Sequence, residues 1–458
     1  DTPSSAVKAF LHVMNFHRNQ EMLMQTPPSL PSEFQPDLAA ARAIVERALG
    51  RGDGLMTEPD AKAILAAYGI PVVETRIAGS VDEAARAAGE TGFPLALAVV
   101  SPDIAHRWDV GGVALHLESA DEVRAAAAGM VKRIGELMPG ARIAGFTLQR
   151  MVPRTNARQL FIAVADDPLF GPVIVFGEGG RAVEVLGDHA VGLPPLNLPL
   201  ARELISRTRV HRRLQSHRDR PGADIDALCL TLVKVSQMIV DMPEIVELDI
   251  NPLFADERGI ICIDAHMRVR PLAGRESRLA IRPYPKEWER HAKLKDGRGI
   301  FVRPVRPEDE HLYPEFFKHV SQEDIRLRFF SAMKELSHPF IARLTQLDYA
   351  RAMAFIAIEE TTGKMLGVVR LHTEADFSSA EYAILIRTDL KGQGLGWMLM
   401  NMIIEYGRVE GVREIHGQVL NHNKMMLEMC RNLGFSIGPD PQNADLSLVV
   451  LPLSKDQA

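Results

Sequence analysis

The sequence predicts an α/β protein of two domains, with a helical segment ahead of them. Three observations carry that prediction. The chain has 458 residues, and at roughly 150 residues per domain that length gives two or three domains. Helix and strand signals alternate from Asp37 to about residue 270, and again from Ile300 to about Leu453. One stretch of the second region reads strand, glycine turn, helix.

Composition narrows the class. Apolar residues make up 46% and charged residues 24%, which excludes a disordered or collagen-like chain. Lys and Arg number 53 against 59 Asp and Glu, a net charge of -6. With no basic excess to neutralise phosphates, nucleic acid is not the expected partner. Cys229, Cys262 and Cys430 lie far apart with no CxxC pair, which excludes a disulfide scaffold and a cysteine zinc site and fits a reducing cytosol. No apolar run approaches the ~18 residues of a membrane span. No basic region followed by an apolar one marks a signal peptide. The expected location is therefore cytoplasmic, with no membrane partner. The chain opens on Asp1, and its first residues read as the middle of something longer.

In order along the chain, residues 1–36 begin as a helix. Ala6, Phe10, Val13 and Met14 recur at helical spacing up to about Met24. The prolines of TPPSLPSEFQP then break the pattern into a linker. Residues 38–50 read as a helix ending at Gly50. Thr57 caps a second helix, Glu58–Tyr68, which Gly69 stops. PVVETRIA is a strand. Ser80-Val-Asp-Glu83 is a capping box opening a helix that stops near Gly92. PLALAVVS is a strand of the buried type. The whole of 37–272 reads as one α/β domain. Residues 275–298 hold eight basic and four acidic residues, with Pro283 and Pro285 among them. The stretch 273–297 therefore reads as a solvated linker with some helix, and 298–458 as the second domain.

The second domain carries the clearest chemistry. EYAILIR (381–387) is rich in strand formers. Lys391-Gly-Gln-Gly-Leu-Gly396 follows, then a helix in which Leu399, Ile403 and Tyr406 share one face. Glycines let the backbone approach a ligand, and a helix N-terminus offers free N–H groups to a pyrophosphate. A tight turn before a helix is the plain alternative.

The order Lys-x-x-Gly-x-Gly after a strand resembles the acetyl-CoA pyrophosphate loop of the GNAT acetyltransferases. REIHGQVL, then Asn421-His-Asn423 and a helix ending at Gly434-Phe435, resemble the family's last motif. IFVRPVRPEDEHLYPEFF resembles its first strand and helix. The resemblance covers about residues 298–453. It implies acetyl-CoA held by Lys391, Gly392, Gln393, Gly394, Leu395, Gly396, Asn421 and Asn423. It also implies acyl transfer from a thioester to an amine. A lysine ammonium, pKa ~10.4, must lose a proton before it attacks, so a base is required. In sequences like AEYAxxxRxDLKGxGLG of the Pat-type bacterial protein lysine acetyltransferases, the catalytic glutamate falls at Glu381. A solvent-facing glutamate at a strand start is the plain reading of the same residue. Glu359-Glu360 is a second candidate, at the end of a hairpin. Many family members carry a tyrosine acid where this chain has Cys430, which reads as a buried structural cysteine.

The middle domain resembles the ATP-grasp domain of NDP-forming acyl-CoA synthetases. SPDIAHRWDVGG (101–112), DDPLFGPVIVFGEGG (166–180) and ELDINPLF (247–254) carry the likeness. The resemblance implies nucleotide contacts at Gln149, Gly177, Gly179 and Gly180, and Mg²⁺ on Asn251 and Asp264. It places a phosphoryl-accepting histidine at His106, for which a polar loop residue is the plain reading. Two departures weaken the site. Ala98 stands where the family has a phosphate-binding lysine, and Gln159 where it has a glutamate. The lost lysine removes a charge-assisted phosphate contact. The resemblance as a whole is to the C-terminal half of a long Pat-type acetyltransferase, an ATP-grasp domain followed by a GNAT domain, with residues 1–36 as the tail and linker of a preceding synthetase domain. It implies a protein substrate, an AMP-forming acetyl-CoA synthetase being the family's kind, and a regulatory role for the ATP-grasp domain with ATP and Mg²⁺ as its ligands. A synthetase fragment, a non-catalytic ligand sensor and a small-molecule acetyltransferase are the alternatives.

Overall fold

The computed structural model describes residues 2–52, 54–101, 103–104, 107–154, 156–180, 187–216, 221–272, 278–330 and 337–453. They fall into two compact units: 31–280, and 281–458 together with 1–30. Among the described residues, no helix is long and apolar enough to cross a membrane.

The unit 31–280 holds two sheets. The first, in the order β1-β4-β2-β3, is built from β1 (Thr75–Ala78), β2 (Leu95–Val100), β3 (Val113–Leu117) and β4 (Gly145–Arg150). Helices Val81–Thr91 and Ala120–Leu137 cover it through Ala84, Ala88, Val123 and Ala127, against Leu95, Leu97, Phe146 and Leu148. Small alanines on the helices meet large side chains on the strands, so the layers interdigitate. The Ser80 hydroxyl accepts from Glu83 N at 3.2 Å, while the Glu83 carboxylate reaches back to Gly79 N at 2.8 Å. The capping box thus closes one residue before the cap.

The second sheet contains β5 (Arg158–Asp167), β6 (Gly171–Glu178), β7 (His189–Gly192), β8 (Ile245–Asp256), β9 (Gly259–Cys262) and β10 (Ala265–Val269). Its order is β10-β8-β5-β6-β7, with β9 paired to β8. The helix Ile225–Asp241 buries Leu228, Leu232 and Val235 in the same core as Leu160, Ile162 and Leu248 of this sheet. The helix predicted to end at Gly50 runs on to Arg51. Gly52, at φ +83°, is the left-handed residue that ends it.

The other unit is built on one eight-stranded sheet in the order β11-β12-β13-β14-β15-β16-β18-β17. Its strands are β11 (Arg290–Lys293), β12 (Gly299–Pro304), β13 (Ala352–Glu359), β14 (Met365–Thr373), β15 (Ala380–Ile386), β16 (Glu414–Leu420), β17 (Ser436–Pro439) and β18 (Leu446–Pro452). Helices Leu395–Glu410 and Lys424–Asn432 pack on one face, with Leu399, Ile403 and Leu427 in a core with Phe355 and Leu371. On the other face Phe316, Phe317 and Ile341 pack with Ile356 and Leu385.

The stretch read as a linker behaves differently from that expectation. Residues 286–288 form a 3-10 turn, and Arg290–Lys293 is an edge strand antiparallel to β12. Its charges mask the strand pattern because an edge strand tolerates them on its open side. The helix predicted at the start spans Pro3–Leu23 and buries no residue. After it, Ser29 N donates to Tyr284 O at 2.8 Å and Tyr284 N to Pro27 O at 2.8 Å.

Candidate active site

All neighbouring strands of the eight-stranded sheet are antiparallel except one pair. β15 and β16 run parallel and pair only at Ala380↔Ile415 and Glu381↔His416. Beyond Glu381 the two strands diverge. A cavity of about 630 Å³ opens there, lined by residues 381–386, the loop after β15, and the helices Gln322–Phe329 and Lys424–Asn432.

Glu381 stands at the point of divergence, exposed, in the cavity wall. Its directly paired neighbours are His372 on β14 and His416 on β16. Directly paired residues share a sheet face, so the three side chains rise from the same face of the sheet. Arg328 also lines the cavity. Burial pushes its guanidinium down to about 10, the Arg370 charge adds to that, and the Glu381 carboxylate opposes it. Neither Glu359 nor Glu360 lines the cavity. Glu360 pairs with His291, and Glu359 faces Arg298 at 3.7 Å.

The loop Lys391–Gly396 has the shape its glycines predict. Gly392 and Gly394 have φ of +80° and +90°, backbone that side chains rarely adopt. A Cβ on Gly392 would meet nothing within 4 Å. Gly394 is the N-cap of the helix Leu395–Glu410 and no side chain caps it, so the first-turn N–H groups carry no side-chain acceptor. Lys391, Gly392, Gly394 and Gly396 line the cavity, while Leu395 is buried in the core. Gln393 is outside the lining, and its carbonyl accepts from Lys295 N at 3.3 Å.

Two expectations are redrawn. The Lys391 ammonium, expected to face a pyrophosphate, is ion-paired with the buried Asp324 carboxylate. Asn421, expected at the pantetheine arm, is outside the cavity lining. Its amide donates to Ala444 O at 2.8 Å and accepts from Ser447 Oγ at 2.7 Å. Asn423 does line the cavity, and its side chain caps the last helix through Met426 N at 3.2 Å. Cys430 is fully buried, 3.2 Å from the Tyr382 hydroxyl, and burial pushes its thiol up. Asp324, Arg328 and Lys295 join the cavity wall from other elements, without a motif that links them to the loop. RLRFF (326–330) was the signal available for Arg328.

In the unit 31–280, β8 brings Asn251 to Asp264. Asn251 N donates to Asp264 O at 3.2 Å, and Asn251 Oδ1 accepts from Gly180 N at 2.9 Å. Asp264 Oδ1 is buried without a hydrogen-bond partner. Burial alone would raise this carboxyl, but His266, 3.6 Å away, offsets that and holds it low. An orphaned carboxylate oxygen beside an asparagine fits a hard cation such as Mg²⁺.

The phosphate side fits less well. Ala98 pairs with Thr147 on β4 and supplies no charge. Gln149 donates to Glu58, a buried carboxylate that also pairs with Lys62 at 2.9 Å and Arg107 at 3.3 Å. A Cβ on Gly177 would lie 2.2 Å from Asp188 O, on Gly179 2.3 Å from Leu160 O, and on Gly180 2.2 Å from Gln159 Oε1. Gly177 and Gly179 are required by the protein's own close packing, while at Gly180 the φ of +76° calls for glycine and the Gln159 side chain covers it. Asn251, Asp264 and Gly180 are thus brought together, while Gln149 is engaged by Glu58. His106 lies outside the described residues.

Comparison with known proteins divides the chain between two families. Residues 47–269 match the ATP-grasp domain family, and residues 300–436 the acetyltransferase (GNAT) domain family. The beta subunit of ADP-forming acetate–CoA ligase I of Pyrococcus furiosus is 37% identical over 230 residues, 50% of this chain and 98% of that one. ADP-forming acetate–CoA ligase I of Archaeoglobus fulgidus is 38% identical over 227 residues, 50% of this chain but 33% of that one. An acetyltransferase of Pseudomonas aeruginosa is 31% identical over 153 residues, 33% of this chain and 82% of that one. Among solved structures, an acetyl-coenzyme A synthetase of Ca. Korarchaeum cryptofilum in complex with coenzyme A, Ca-AMPCP and HgCl⁺ is 34% identical, covering 50% of this chain and all of that one, with a TM-score of 0.47. The GNAT domain of S. lividans PAT is 25% identical, covering 37% and 99%, with a TM-score of 0.35.

Proposed function

We propose, from the premise that this chain belongs to the GNAT acetyltransferases through residues 300–436 and to the ATP-grasp family of ADP-forming acetate–CoA ligase beta subunits through residues 47–269, that it is a protein lysine N-acetyltransferase. The observation that carries the reading is Glu381 in the cavity wall where β15 and β16 part. Acetyl-CoA occupies the divergence between the two strands. Beyond Glu381 the backbone of β15 that faces the gap has no β16 partner, and its N–H groups polarise the thioester carbonyl. The Glu381 carboxylate takes a proton from the acceptor ammonium. The free amine attacks the carbonyl carbon, the C–S bond breaks, and CoA leaves as a thiolate that takes up a proton.

The acceptor is the lysine of a protein, with an AMP-forming acetyl-CoA synthetase as the first candidate. The ATP-grasp domain acts as a regulatory module, with Mg²⁺ and a nucleotide as its ligands. Ala98 and the packed glycines speak against phosphoryl transfer there. The test is to incubate the chain with labelled acetyl-CoA and a purified AMP-forming synthetase. Label is expected on the synthetase. With Glu381→Gln, kcat is expected to fall about 10²–10⁴-fold, while calorimetry still finds acetyl-CoA binding. Equal label transfer by that variant removes Glu381 from the mechanism.

A second reading, a ligand sensor, is favoured by one observation, the orphaned Asp264 oxygen beside Asn251. It predicts Mg²⁺-dependent ATP binding with no acetyl transfer to any protein.

A further inference from the structure

We propose that Lys295, on the turn between β11 and β12 and outside the residues that match the GNAT family, is the cation that binds a phosphate of acetyl-CoA, in place of Lys391. The proposal rests on the acetyltransferase reading.

The charges of the cavity point to it. Three basic residues line it, Lys295, Arg328 and Lys391, and three acidic ones, Asp324, Glu381 and Glu428. Lys391 is spent on Asp324, which also accepts from Thr388 Oγ1 at 2.6 Å. Arg387, at the end of β15, is spent on Asp389 at 2.8 Å. Arg328 feels the Glu381 charge, and its guanidinium lies over the Phe329 ring, 4.8 Å from the centroid. Among the described residues, Lys295 has no carboxylate within ion-pair distance.

Its place is also fixed. Leu294 is buried in the core beside it, and Leu294 N donates to Arg298 O at 2.9 Å. Arg298 in turn holds Asp296, Nε to Oδ2 at 2.8 Å, so the turn is braced from within. Lys295 N reaches the carbonyl of Gln393. Its Cε and Cγ lie 3.7 and 3.9 Å from where a Cβ on Gly394 would be. The alkyl stem therefore runs along the glycine loop, and the side chain forms part of the cavity wall. A cation beside the positive end of a helix is unfavourable until an anion joins them. The phosphates of the CoA nucleotide are such anions. An exposed lysine with a free ammonium acts on them as a point charge.

The test is calorimetry of the full chain with acetyl-CoA and with acetyl-3′-dephospho-CoA. Lys295→Ala is expected to weaken acetyl-CoA binding about ten-fold, and Lys295→Glu more. The loss is expected in KM rather than in kcat, with a shallower dependence of Kd on salt. Equal loss with both donors assigns the pyrophosphate, and loss with acetyl-CoA alone assigns the 3′-phosphate; either supports the proposal. Lys295 is exposed and unpaired, so the melting temperature is expected to hold. Lys391→Ala is expected to lower it, by stranding Asp324. A Lys295→Ala chain that binds like the wild type overturns the assignment and leaves the acetyltransferase reading standing. A wild-type chain that binds no acetyl-CoA removes both.

Discussion

The Asp324–Lys391 ion pair ties the loop after β15 to the helix Gln322–Phe329. Burial alone would raise the Asp324 carboxyl, but the Lys391, Thr388 and Ser321 hydrogen bonds hold it below the usual carboxylate range. A carboxyl depressed in the folded state stabilises the fold above its unfolded pKa of about 3.9, and that contribution is lost as pH falls through the lower folded value. Asp324→Asn is therefore expected to lower the melting temperature at pH 7, by about 1–2 kcal/mol of stability once the partial exposure of Lys391 is discounted. The gap between variant and wild type is expected to begin narrowing below about pH 4 and to close only as pH passes the lower folded value. Thermal melts of both proteins across pH 3–8 check this; a constant gap would mean that the pair contributes nothing through charge. This pair also marks the limit of what the sequence discloses. Glu381 could be read because its strand and its loop are contiguous in the chain. Asp324 and Lys295 lie far from them in sequence, and only the folded unit brings them to the same wall.

At the scale of elements, the divergence of β15 from β16 makes the site, and two glycines guard it differently. A Cβ on Gly417 of β16 would lie 2.5 Å from the Tyr382 ring, and Tyr382 is buried. Gly417→Ala is expected to lose about 1–3 kcal/mol through overpacking and to melt earlier. A Cβ on Gly392 would enter open space at a φ of +80°. Gly392→Ala is expected to cost only about 1 kcal/mol of backbone strain but to raise the KM for acetyl-CoA, since its methyl points where the ligand comes. Melting curves beside steady-state kinetics separate the two; equal loss of stability in both variants contradicts the assignment of Gly392 to the ligand side. The strand, glycine loop and helix could be read because each has a local signal: β formers, glycines at required positive φ, then a 3.6-residue apolar period. β11 could not, because a short edge strand of Arg290-His-Ala-Lys293 has no apolar face to announce it. Asn421 and Asn423 were indistinguishable in sequence. Which of the two reaches the cavity depends on where β16 ends, and Asn421 is drawn off by Ser447 and Ala444.

At the scale of the whole molecule, two families with different chemistry share one chain, and their sites are in unequal condition. The GNAT site joins a cavity, a candidate base and a glycine loop. The ATP-grasp site keeps Asn251 and Asp264 side by side but lacks a cation on β2, where Ala98 stands. If that single lost charge is what weakens the module's hold on its nucleotide, restoring it has a measurable effect. One charge-assisted hydrogen bond to phosphate is worth about 1.5–3 kcal/mol, which corresponds to about 10–100-fold in affinity. Ala98→Lys is therefore expected to tighten Mg²⁺-ATP binding by at least about ten-fold over the wild type in calorimetry, and Asp264→Ala to remove the Mg²⁺ dependence of whatever binding is found. Ala98 is half-buried on a strand flanked by Val113 and Thr147, so a lysine there has room to reach outward along its stem. No gain from Ala98→Lys would shift the cause to the other occupants of the site. Those are the Glu58–Lys62–Arg107 network that engages Gln149, and the Gln159 amide against Gly180. The expected result would then come from Gln159→Glu, tested in the same titration.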